Sequence, residues 1–292
     1  MKEAAIFEAH SSYVIDLAFT KNSQLLISSG MDNLIKLWGV PSWELQKVFE
    51  SHDNSVNSIS LSPDEQILAS GSTDATVKLW SFPEGEVLQS LRDRKKVVST
   101  VQISPLGNWV AAGSYGGRVQ LWRLSGEEVL GFDANNKKNL SSIAISPDER
   151  TLATSGLGDD IAIWSLPGGE RVATLTGHQT AVWALKFTDN GRQLISMGYE
   201  GDIKFWDTHN WSEERTVSAG GPGARGCLVS PDGKSIAISM ESRVQVHDIA
   251  SWEQIIEYPV STKVVSSMAY SPDGKWFAIG AADRKIRLWQ LS

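Results

Sequence analysis

The chain holds five histidines, His10, His52, His178, His209 and His247. Set among small polar residues, as in "TGHQTAVWALKF" at 176–187, a histidine has the chemistry of a general base, a metal ligand or a hydrogen-bonded structural group. Spacing bears on the choice. His10 precedes Trp38 by 28 residues, His52 precedes Trp80 by 28, and His178 precedes Trp206 by 28. A catalytic residue rarely recurs with the period of its own fold. His247 falls where other repeats place tryptophan, which predicts a core substitution, and His209 falls in a turn, where solvation is expected. Other catalytic patterns are missing. "GKS" at 233–235 lacks the upstream glycine of a phosphate loop, and no G-x-S-x-G, H-E-x-x-H or calcium-loop spacing occurs. Cys227 is the single cysteine, so an intrachain disulfide and a paired-cysteine metal site are both impossible. No cofactor and no metal are expected, and no residue is assigned a catalytic role.

The elements that must position these residues repeat along the chain. "IKLW", "VKLW", "VQLW", "IAIW", "IKFW", "VQVH" and "IRLW" end at Trp38, Trp80, Trp122, Trp164, Trp206, His247 and Trp289, with spacings of 42, 42, 42, 42, 41 and 42. Eighteen residues before most of these anchors stands a turn: "SPD" at 62–64, 146–148 and 271–273, "SPL" at 104–106, "TDN" at 188–190. The sixth repeat has "SPD" at 230–232, one residue closer, so its single deletion lies after that turn. Residues 56–91 read as strand "VNSISLS", turn "PDEQ", strand "ILASGS", turn "TDA", strand "TVKLWSF", turn "PEGE" and strand "VLQSL". No segment has a helical period. One such four-stranded sheet is too small to bury both its faces, whereas seven packed side by side around an axis can.

This texture resembles the WD-repeat β-propeller family over essentially the whole length. The resemblance implies an all-β fold, a seven-bladed β-propeller of four-stranded antiparallel blades, as a single domain over 1–292. Only Trp206–Asp207 reads literally "WD", and the family's Gly-His occurs once, at Gly177–His178. "EAAIFEAH" matches "ELQKVFESH" of the next repeat, so residues 3–7 are expected to form an outer strand. After residue 264 only three strands remain. The N-terminal strand would then complete the C-terminal blade, close the ring and make 1–292 a complete module. The family also supplies a role for the histidines: a chain of Trp, Ser or Thr, His and Asp buried inside a blade. Its members are present as His10, Ser28, Asp32 and Trp38, as His52, Ser70, Asp74 and Trp80, and as His178, Ser196, Glu200 and Trp206, with Glu in place of Asp. A buried indole N–H, hydroxyl and imidazole each need a partner, and a closed chain satisfies all three. Other repeats lack the histidine, having Arg94, Asn136, Gly220 and Ser261 near that place.

In the family, partners often bind the loop rim at the channel mouth. The residue before the tight-turn acid is Met31, Thr73, Tyr115, Leu157, Tyr199, Met240 and Ala282, an apolar set for loop tips. The residue after the apolar start of strand one is Ile15, Asn57, Ser99, Ser141, Trp183, Arg225 and Ser266. Trp, Tyr and Arg dominate binding hot spots. Trp183, Tyr199, Arg225, Tyr115 and Met31 are therefore the expected partner-binding residues, the first three forming one contiguous site, with channel-wall packing as the competing role of Trp183. The loops "RDRKKV" at 92–97 and "NNKKN" at 135–139 concentrate Arg92, Arg94, Lys95, Lys96, Lys137 and Lys138, as a basic arc or as ordinary solvated charge. Trp43, Trp211 and Trp252 fall in turns between the third and fourth strands, to cover the blade ends or to form a second contact face.

The formal net charge of −7 on 292 residues argues against general nucleic-acid binding. No run approaches a membrane span, and the start "MKEAAIFEAH" is no signal peptide, so a cytosolic, monomeric module is expected. The leading function is a non-enzymatic interaction scaffold that binds a protein or peptide through its rim. The alternatives are a small-ligand or catalytic propeller that uses the central channel, and a structural subunit of a larger assembly.

Overall fold

Residues 2–92, 96–134, 138–260 and 264–291 are described by a computed structural model. Their strands, β1 to β28 in chain order, pair antiparallel into seven four-stranded sheets, the blades of a seven-bladed all-β propeller. Six sheets take four consecutive strands each. The seventh joins β1 (Lys2–Glu8) to β28 (Lys285–Gln290), followed by β27 (Trp276–Ala281) and β26 (Val265–Tyr270). The register runs from Lys2↔Gln290 to Glu8↔Lys285, with an irregularity between Glu3 and Ala5. The outer strand expected at 3–7 is thus present, in the C-terminal blade.

Each strand's composition follows from what covers it. Second strands such as β3 (Leu25–Gly30, "LLISSG") and β11 (Trp109–Ser114, "WVAAGS") are buried along almost their whole length. Both faces lie under protein, so they are built from small and apolar residues without a polar alternate. Outer strands such as β9 (Val87–Arg92) and β21 (Glu213–Ser218) are mostly exposed and carry Gln, Ser, Glu and Arg. The Ser-Pro-Asp turns are small hydrogen-bonded units. Ser146 Oγ donates to Asp148 Oδ1 at 2.6 Å, Ser271 Oγ donates to Asp273 Oδ1 at 2.6 Å, and Thr188 Oγ1 donates to Asn190 Oδ1 at 2.8 Å. These side-chain oxygens serve the turn, as expected of Asp and Asn beside backbone donors.

The sixth repeat shows where its missing residue went. β23 (Ser235–Met240) and β24 (Arg243–Asp248) are joined by two residues, Glu241 and Ser242, and Met240 pairs with Arg243. The corresponding β7 (Ile67–Ser72) and β8 (Thr76–Ser81) are joined by three. Met240 is consequently the last residue of a strand and only 4% exposed, not a loop tip as its count back from His247 predicts.

The chain comprises two compact units: Met1–Ile59, Pro83–Glu86 and Arg225–Ser292, and Ser60–Phe82 with Val87–Ala224. In the first, β2 (Val14–Phe19) is pinned to its neighbours by side chains. Ser267 Oγ accepts Leu17 N–H at 3.1 Å, and Asp16 Oδ2 accepts Ile59 N–H at 3.0 Å. Burial pushes the Asp16 carboxyl above its ordinary range, against these hydrogen bonds. The second unit repeats the device with neutral acceptors: Ser60 Oγ for Ile103 N–H at 2.9 Å, Gln102 Oε1 for Ile145 N–H at 2.9 Å, and Ser142 Oγ for Leu185 N–H at 3.1 Å. Between these pins lie apolar clusters, around Trp38, Leu26 and Ile286 in the first unit and around Trp206, Leu194 and Ile163 in the second.

Candidate functional site

The histidine chains are built inside the sheets. His10 Nε2 lies 2.8 Å from Ser28 Oγ, which accepts Trp38 Nε1–H at 2.9 Å, while His10 Nδ1 lies 2.7 Å from Asp32 Oδ1. His178 repeats this with Ser196 Oγ at 2.8 Å, Trp206 Nε1–H donating to Ser196 at 2.8 Å, and Glu200 Oε1 at 2.6 Å. Glu200, longer than Asp by one methylene, also takes the Thr180 hydroxyl. In the third set, Trp80 Nε1–H donates to Ser70 Oγ at 2.8 Å, and His52 is buried. Asp74 Oδ1 there accepts Thr76 N–H at 2.9 Å. Burial holds the His178 imidazole below its ordinary range against the pull of Glu200, so the ring is neutral near pH 7. Burial raises the Asp32 carboxyl, but the His10 hydrogen bond and charge, the Ser11 N–H and the Lys36 charge together outweigh it, and the group stays below its usual range. In His10 and His178 both ring nitrogens are engaged by side chains of their own set. These are fold-positioning groups, and the described residues contain no His/Cys/Asp/Glu cluster suited to a metal ion.

Blades without the histidine solve the problem differently. Trp164 Nε1–H donates to Thr154 Oγ1 at 3.0 Å. In the C-terminal blade Arg287 Nη1–H donates to Asp283 Oδ1 at 3.1 Å, so a guanidinium faces the acid. His247 is buried and stacked on Trp252, ring centroids 4.7 Å apart, and His209 is exposed in its turn, both as expected. Arg94, Asn136 and Ser261 lie outside the described residues.

The rim residues divide by exposure. Met31 is 44% exposed, Tyr115 45% and Leu157 51%, each just beyond the end of a second strand. Tyr199 is half-buried after β19 (Gln193–Gly198), and its N–H donates to Ala181 O at 2.9 Å. That bond ties the tip to the segment entering β18 (Val182–Phe187), which carries Trp183. Trp183 sits where the register slips between Val182 and Ala184, on a β-bulge. Bulges re-aim a side chain relative to the pleat. The same slip falls at Ile15, Ser99, Ser141 and Ser266 in other blades. There the serines bridge blades: Ser99 Oγ donates to Leu140 O at 2.7 Å, Ser141 Oγ to Val182 O at 2.6 Å, and Ser266 Oγ to Val14 O. Trp183, half-buried, replaces a small bridging group with a large indole. Arg225 occupies the matching place before β22 (Gly226–Val229) in the other unit, exposed, its N–H donating to Ser239 O at 3.1 Å. The bulge was not read from the sequence. Its signal was the one aromatic residue in a column where three of the seven residues are serine.

Of the basic loop residues, Arg92, Lys96 and Lys138 are exposed, while Arg94, Lys95 and Lys137 lie outside the described residues. The turn tryptophans cover blade ends. Trp43 meets Trp276 edge-on at 5.0 Å, Trp211 packs on the Trp206 cluster, and Trp252 stacks on His247. All three hold left-handed backbone, φ 58°, 61° and 62°, where Gly85 and Gly169 stand in other repeats at 72° and 68°. Such a φ costs an L-residue roughly 1–2 kcal/mol. Trp211→Gly recovers that strain and loses about 2 kcal/mol of apolar contact, whereas Trp211→Ala loses the contact and keeps the strain. Urea melts should therefore find alanine worse than glycine by about 1 kcal/mol, the reverse of the usual order. Equal values would mean that the turn holds no strain.

A family model described as the IFT122 first beta-propeller matches residues 13–217, more than half of the chain, and one described as WD domain, G-beta repeat matches residues 252–290. No curated protein matches the chain. With the period, the seven blades and the Trp–Ser–His chains in place, the protein belongs to the WD-repeat β-propellers, in the family of the IFT122 first β-propeller.

Proposed function

We propose that this chain is a non-enzymatic protein–protein interaction scaffold that holds a peptide or protein segment on its loop rim. WD-repeat propellers typically mediate protein–protein interaction and are generally non-catalytic. The observation that carries the reading to this chain is Trp183 on its bulge, in a position that three other blades give to a bridging serine. Three blades set a small bridging serine there, so the indole is an addition to the repeat. Tyr199 on the same sheet adds an amphipathic face, and the exposed tips Tyr115 and Met31 extend the apolar surface available within their own units. Arg225 brings a planar fork for a carboxylate or carbonyl.

The test begins with a partner purified from the native cell on the full chain, then titrated against variants. Trp183→Ala and Arg225→Ala should each weaken binding by about 2 kcal/mol or more, as hot-spot truncations do, with melting temperature nearly unchanged. Full affinity in both variants, or a Trp183→Ala protein that does not fold, would leave Trp183 as packing and end the proposal.

A further inference from the structure

At the strand ends opposite the Tyr199 tip, the second unit contains a cavity of about 200 Å³. Three turns enclose it. The turn between β14 (Leu140–Ile145) and β15 (Thr151–Gly156) gives Pro147 and Asp148. The end of β18 and the turn after it give Phe187 and Asn190, and the turn between β20 (Asp202–Asp207) and β21 gives Thr208 and Trp211. A second cavity of about 260 Å³ adjoins it, sharing Pro147 and Phe187. The walls of the first are a proline ring and two aromatic side chains, and its one ionisable lining group is Asp148.

That carboxylate is half used. Oδ1 accepts Ser146 Oγ–H at 2.6 Å and Arg150 N–H at 3.1 Å. The Ser146 hydrogen bond holds the group below its ordinary range, so it is anionic at neutral pH. Oδ2 has no hydrogen-bond or ion-pair partner among the described residues. The same turn in the C-terminal blade is internally neutralised, with Lys275 Nζ 3.2 Å from Asp273 Oδ2. Arg150, though it contributes a favourable charge, forms no ion pair with Asp148. The other polar lining groups are amide and hydroxyl, and Thr208 Oγ1–H is already donated to Gly191 O at 2.7 Å.

We propose that this cavity is a docking site for an arginine side chain of a partner protein, with the guanidinium on Asp148 and its flat face against Trp211. Charge complementarity selects the occupant. A single open carboxylate beside an indole suits a planar cation that both stacks and donates paired N–H groups, which an ammonium cannot do. The chain's net charge of −7 favours approach of a basic segment. This site is separate from the rim and does not depend on Trp183.

The test uses the full chain and a short capped peptide with arginine at its centre and glycine and serine elsewhere. Proton–nitrogen correlation spectra follow the tryptophan indole signals, with Trp211 assigned from Trp211→Phe. A saturable shift of the Trp211 signal in the millimolar range is expected, with none from the glutamine-centred peptide. Asp148→Asn should weaken binding at least about fivefold, and Trp183→Ala should leave it unchanged. The Asn variant keeps its turn, because Asn22 and Asn190 hold the same bond from Thr20 and Thr188 at 2.8 Å. No saturable shift, an equal shift with glutamine, or undiminished binding to Asp148→Asn would overturn the site. Equal or tighter binding of the lysine-centred peptide would overturn the assignment to arginine.

Discussion

Deletion of residues 1–9 is expected to lower the melting temperature by about 10 °C or more and to convert a monodisperse protein into one that self-associates. β1 is one of only four strands in its sheet, and it pairs with β28 along its length. Phe7 packs on Trp38 with ring centroids 4.8 Å apart, and Ala5 and Ala9 belong to the same apolar cluster. Ala9 O also accepts Lys36 Nζ–H at 2.7 Å. Loss of this apolar burial and of the half-buried hydrogen bond sums to on the order of 5 kcal/mol. The deletion also uncovers β28, whose edge would template pairing with other chains. Calorimetry and size-exclusion chromatography read the two effects. An unchanged melting curve would mean that β1 contributes nothing to the C-terminal blade.

His10→Ala should destabilise the fold by about 2–4 kcal/mol, the largest effect expected of any single substitution considered. The ring is buried and touches both Ser28 and Asp32. Its removal leaves the Asp32 carboxylate without its main side-chain partner, retaining Ser11 N–H at 2.9 Å. It also leaves Ser28 Oγ with the Trp38 indole alone, beside a cavity the size of an imidazole. His209→Ala, in an exposed turn, should change stability by about 0.5 kcal/mol or less. The comparison is made by denaturant melts at one pH. If the two variants melted together, the hydrogen-bonded chain would hold nothing in place.

The blade plan was legible because it is periodic. Trp38, Trp80, Trp122, Trp164, Trp206 and Trp289 each end or nearly end a third strand, and the match of "EAAIFEAH" to "ELQKVFESH" located β1. The Trp–Ser–His chains were legible for the same reason, since their members keep fixed offsets in three repeats. What failed to show was whatever depends on a shift of one residue. Met240 reads as a loop tip by counting back from His247, yet the two-residue hairpin Glu241–Ser242 leaves it in the sheet. The bulge at Trp183 is likewise a register event, and the residue type at the slip varies from Ile to Ser to Trp. The pins between blades escaped because Asp16, Ser60, Gln102 and Ser142 share a task but neither a side chain nor one repeat position. The left-handed turns showed as tryptophans in the sequence, but glycine at the matching sites is what reveals their strain.

The pairing of β1 with β28 also sets a timetable for biosynthesis. β28 follows every other described strand in chain order, so at about 5–20 residues per second β1 waits on the order of 15–60 s for its partner. Throughout that interval Ile6 and Phe7 stand on a nascent strand whose only docking edge has not been made. A chaperone that holds short apolar segments would find this strand open throughout that interval, and slow codons between the two strands would lengthen it.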